Sequence, residues 1–126
     1  MRSLPYWFIG LGTLFALAGM AFGIYMSAIQ NFELAPAHAH NNLLGWVTMA
    51  LYGFYYKAVP SAAKTRLALA HFWIAFIGAL TFGPGIAMAI LQKGTILVEV
   101  SSLLVILAML IFAWTVFTNK AGMTVD

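Results

Sequence analysis

Uncharged stretches and short polar breaks alternate along the chain. Four runs, Leu4 to Ile29, Leu34 to Tyr56, Leu67 to Gln92 and Thr95 to Asn119, are each 23 to 26 residues long and hold no Asp, Glu, Lys or Arg except Glu99. About 20 helical residues cross about 30 Å of hydrocarbon. The pattern therefore predicts an all-α fold, a four-helix transmembrane bundle with helices at about 4–29, 36–59, 66–92 and 95–119, in one integral membrane domain over 1–126. Short breaks make consecutive helices antiparallel neighbours. Pro36 suits the first turn of helix two and Pro60 ends it, while Gly83-Pro84-Gly85 is expected to distort helix three, where Pro84 lacks a backbone donor.

Composition agrees with this class. Of 126 residues 63% are hydrophobic and 7% charged, against about 25% charged in soluble domains, so a water-facing surface cannot be built. The first run is longer than the apolar core of a signal peptide, and Gly19 to Ser27 offers no convincing cleavage site, so it is expected to remain as a helix. Arg2, Lys57, Lys64, Arg66 and Lys120 fall on one side of the predicted topology and Lys93 on the other. The positive-inside rule then gives N-in and C-in, in a membrane read here as a bacterial cytoplasmic membrane. The net charge of +3 is scattered over segment ends, which argues against a nucleic-acid partner. Absence of cysteine excludes disulfides, thiolate metal sites, iron–sulfur clusters and covalent CxxCH haem attachment.

Helix one carries a stripe of small residues, Gly12, Ala16, Gly19 and Gly23, at helical spacing, with a weaker version at Ala79 and Gly83 in helix three. Such a stripe lets another helix approach closely, either within the chain or across a homo-oligomer seam, and an oligomer is expected.

Depth sorts the few polar residues. With the N-terminus inside, helices two and four both start outside, so His38, His40 and Glu99 share a layer, with Met26 and Met88 at similar depth. An ionisable group at membrane depth points to function. Two imidazoles, a carboxylate and two thioethers form a candidate ligand set, although methionine also fills gaps in cores. Residues two apart on a helix point about 200° apart, so His38 and His40 do not both face one ion unless the first turn is unwound. His40 heads the apolar face Leu44, Val47, Leu51; His38 heads Asn42, Gly45, Met49, Gly53. His71 lies one turn into helix three from the cytoplasmic side, about 18 Å from His40 along the membrane normal. It reads as a neutral hydrogen-bonded histidine near the interface beside Trp73, or as a second cofactor or proton-entry site.

His40-x-Asn42-Leu43-Leu44, followed by Trp46, Gly53, Tyr55-Tyr56 and Val59-Pro60, resembles the second transmembrane helix of the catalytic subunit of haem-copper oxidases, in the form of the nitric oxide reductase branch. The resemblance covers about 25 residues well and the rest loosely, with His71-Phe72-Trp73 a looser echo of a later helix. It implies that His40 is an axial ligand of a haem b lying toward the outer side. The markers after His40 come one or two residues earlier than in that family, and the late helices that supply the second haem ligand and the copper or iron ligands have no counterpart, so an oxygen- or nitric-oxide-reducing centre is not implied.

Three functions fit these residues. One is a haem b membrane protein, serving electron transfer or gas and redox chemistry, with His40 axial and the second position filled by His38 or His40 of a neighbouring protomer, or left open. Another is a copper, zinc or iron protein using His38, His40 and Glu99. The third is a non-catalytic subunit or quinone-site protein in which these groups hydrogen-bond one another. The expected partners are the lipid bilayer, a second copy and a redox partner or quinone.

Overall fold

The computed structural model describes residues 3–125; Arg2, used above for topology, lies outside the described residues. The chain is all-helical, with no strand among the described residues. Helix α1 spans Leu4–Ile29. The second apolar run follows one helical path in three pieces: α2 (Ala35–His40), a π-helical segment (Asn41–Thr48) and α3 (Met49–Ala58). A single turn, α4 (Pro60–Ala63), leads to α5 (Arg66–Ile90) and α6 (Ile96–Thr118), and a 3₁₀ turn at Lys120–Met123 follows.

Local chemistry sets the boundaries. Gln30 ends α1 in the left-handed region (φ 52°), its N–H bonding Met26 and Ser27 carbonyls. Val59, turned out of the helical region (φ −124°, ψ 73°) ahead of Pro60, ends α3. Thr65 caps α5, its hydroxyl accepting from the Ala68 N–H at 3.0 Å. Gln92 and Gly94, both at positive φ, make the tight turn into α6.

Three helices, α1, α5 and α6, are long and apolar enough to cross a membrane. The uninterrupted second helix expected from the sequence is instead widened over eight residues at Asn41–Thr48. No proline lies there; polar side chains hold the wide turns. Thr48 Oγ1 donates to the Leu43 carbonyl five residues back at 2.8 Å, and Asn41 Nδ2 reaches the Phe15 carbonyl of α1 at 3.1 Å. Helix α5 continues as one helix through Gly83-Pro84-Gly85.

The helices pack antiparallel, with the second run between α1 and α5. Along α1, Gly12 meets Trp46, Gly19 meets Asn42 and Gly23 meets His38. The small-residue stripe thus packs within the chain, because a Cβ at Gly19 would collide with Asn42. Gly83 of α5 meets Ala37 and Asn41, while Gly78 and Gly85 seat α6 at Leu104 and Val98. The core of Leu4, Phe8, Met49, Tyr52, Tyr56 and Phe72 gathers at the end that carries the Lys57 to Arg66 connection. The opposite end, where His38 and His40 lie, is packed mainly through glycine and alanine. Ile24, Leu103, Leu110 and Phe117 are exposed to 72%, 69%, 63% and 83%, apolar faces suited to contact with lipid.

Candidate functional site

His38 and His40 leave helix α2 in different directions. The His40 ring stacks on Phe82 of α5, centroids 5.3 Å apart. Its Nδ1 lies 2.8 Å from the Pro36 carbonyl one turn back. A carbonyl only accepts, so Nδ1 carries the proton and Nε2 keeps a lone pair. This is the tautomer of a histidine whose Nε2 binds a metal while its other nitrogen is tied to a backbone carbonyl.

His38 turns toward α1 and sits over Gly23, where a Cβ would lie 3.0 Å from its Cε1. Asn42 Nδ2 donates to His38 Nε2 at 3.3 Å. Asn41 Nδ2 in turn reaches Asn42 Oδ1 at 3.4 Å as well as the Phe15 carbonyl. A polar chain therefore links the α1 backbone to His38 through two asparagines, in a notch that Gly19 leaves open. Because Nε2 accepts, the His38 proton sits on Nδ1, which is buried without a partner.

Glu99 does not join the histidines. It is exposed in the first turn of α6, and its carboxylate accepts from the Thr95 hydroxyl at 2.8 Å. Among the described residues no three His, Cys, Asp or Glu side chains come together as a metal would need. Met26 is buried and Met88 exposed to 38%, so the two thioethers occupy different environments.

His71 lies at the other end of the bundle, among Phe8, Tyr52 and Tyr56, away from His38 and His40. The hydrogen-bonded histidine expected beside Trp73 points inward and is wholly buried, whereas Trp73 itself is exposed to 51%. Its ring meets the Tyr52 edge with centroids 4.4 Å apart and stacks on Phe112 of α6. Its Nδ1 is 2.8 Å from the Tyr56 hydroxyl, while Nε2 is buried with no partner. A phenol is the better donor of the two, so Tyr56 donates and the imidazole proton rests on Nε2. Tyr56→Phe removes the one hydrogen bond and is expected to destabilise the fold by about 1 to 3 kcal/mol. Adding His71→Leu should recover part of that loss, because both polar partners are then gone. Thermal unfolding in detergent, followed by circular dichroism, reads the double-mutant cycle; equal and additive losses would contradict the pairing.

The sequence grouped His38 with Asn42 on one helix face, as the structure does. Asn41 escaped notice, although an amide in an apolar run signals a need for a partner. Tyr56 was noted only as a marker of the resemblance, and its pairing with His71 across the connection carries no local motif. Thr95, four residues before Glu99, was a visible helix partner. No protein-family model, curated protein or solved structure matches this chain.

Proposed function

We propose that the chain is a haem b-binding membrane protein in which His40 supplies an axial ligand through Nε2. The observation that supports this is the His40 Nδ1 to Pro36 carbonyl contact, which fixes the ring and leaves the ligating nitrogen with its lone pair. Phe82, stacked on the ring, restricts its rotation. A bound haem supplies reversible one-electron chemistry at its iron; the chain's own part is to hold the imidazole in one tautomer and keep the surroundings apolar. His40 is not enclosed by its own protomer, so the reading includes a homo-oligomer in which a neighbouring copy covers the cofactor and contributes the second ligand. A metal site built jointly from His38, His40 and Glu99 finds less support, because Glu99 is paired with Thr95.

The same reading places the second run across the membrane as an irregular fourth span, with both termini in the cytoplasm and His40 toward the outer face of a bacterial cytoplasmic membrane. A redox partner or quinone then exchanges electrons with the cofactor from that side. A C-terminal tag should stay inaccessible to a membrane-impermeant label in intact cells, while a cysteine placed at Asn31 reacts. Labelling of the tag beside a silent cytoplasmic control overturns the orientation. For the cofactor, protein purified from membranes should give a pyridine haemochrome spectrum of haem b. Pure protein with neither bound haem nor uptake of added haem would remove the proposal.

A further inference from the structure

An open groove of about 780 Å³ lies beside His38, on the side of the second run away from His40 and Phe82. Its apolar wall is Met20, Ile24 and Ala28, one stripe along α1. Met20 and Ile24 are exposed to 63% and 72%, so the groove opens outward, toward acyl chains. Its polar floor is His38 and Asn42, with Ser27 in the last turn of α1. Gly23 makes room for the ring, since a Cβ there would press on Cε1.

The hydrogen bonding of this floor is incomplete. Asn42 holds His38 Nε2 by a long 3.3 Å contact and thereby leaves the buried Nδ1 proton without an acceptor. A carbonyl oxygen placed at Nε2 reverses this. The ring then carries its proton on Nε2 and donates to that oxygen, so the buried Nδ1 keeps a lone pair in place of an unpaired N–H, while the Asn42 amide and the Ser27 hydroxyl supply further donors. The occupant that matches has carbonyl acceptors on a flat, apolar head and a tail that leaves into lipid. No Lys or Arg lines the groove, so it has no cation for a phosphate headgroup. The volume falls within the range of about 300 to 1,000 Å³ for small-molecule sites.

We propose that the groove between α1 and His38 binds the head of a membrane-dissolved quinone. The site uses His38, not His40, and requires no bound haem.

The full chain in phosphatidylcholine nanodiscs, exposed to a photoreactive azidoquinone with a short isoprenoid tail, tests it. Labelling should map to residues 20–28 and 38–42 and be competed by an unlabelled short-tail quinone. Ile24→Trp, which fills the groove from its exposed wall, and His38→Leu should each weaken quinone binding about tenfold. Leu103→Trp, on the exposed face of α6, should leave it unchanged. Label spread evenly over α1 and α6, competition by excess phospholipid analogue, or binding indifferent to both groove variants overturns the site. So does a crosslink between two copies at Ile24 that excludes the label, since a second chain then fills the groove. Haem content read on the same samples separates the proposals: no competed quinone labelling in the parent protein, with an intact Soret band, sinks this one alone.

Discussion

Gly85→Leu is expected to part α6 from α5. A Cβ at Gly85 would lie 2.8 Å from Val98 N and 2.9 Å from its Cα, both backbone atoms that no rotamer change can move. Leucine is a better helix former than glycine, so the substitution favours α5 by itself and the loss must come from packing. Forcing a branched side chain into that contact should cost about 3 kcal/mol or more, at the upper end for overfilled interfaces. Because α6 also supplies Phe112 to the His71 cage, the damage extends to the far end of the bundle. Gly10→Leu is the control: nothing lies within 4 Å of a Cβ there. Thermal unfolding in detergent should show a large drop for Gly85→Leu and little change for Gly10→Leu. Equal midpoints would mean that α5 and α6 do not approach as closely as the structure has them.

The legible parts of the fold were those written in run length and small residues. The uncharged runs located α1, α5 and α6, since length and hydropathy alone decide whether a helix can cross lipid. The glycine stripe on α1 named a face that does meet a neighbour, though the sequence left open whether inside the chain or across a seam. At the site, helical periodicity separated His38 from His40 and placed Asn42 with His38, as the structure does. Three features were not legible. The π-helical segment depends on bonds such as Asn41 to Phe15, made by residues distant in sequence. Gly83-Pro84-Gly85 was read only for the effect of Pro84 on helix three, and the use of Gly85 for the close approach of α6 was not visible. The burial of His71 was invisible to a count of depth along one helix, because Phe8 of α1, which covers it, lies far off in sequence.

His40→Ala is expected to have the largest effect on the cofactor. If Nε2 of this ring is the axial ligand, alanine removes the protein–iron bond proposed for His40, while the fold loses only a half-buried ring and its bond to Pro36. The Soret band should fall to background with helix content unchanged. His71→Ala tests specificity from the other end of the bundle. It removes the Tyr56 partner and opens a cavity, so stability falls, but haem content per folded protein should hold. His38→Ala separates the two neighbours: it breaks the bond to Asn42 and leaves the His40 tautomer untouched. Loss of haem in His71→Ala with retention in His40→Ala would move the cofactor to the aromatic cage.

The measurement that bears most directly on the assignment is rescue of His40→Gly by free imidazole. Purified His40→Gly in detergent should show no Soret band with added haem b. Millimolar imidazole should restore a low-spin spectrum by filling the space the side chain left, with a concentration dependence that protein lacking the cavity does not show. A His40→Gly protein that binds haem as the parent does, with or without imidazole, would contradict ligation by His40 and with it the proposed function.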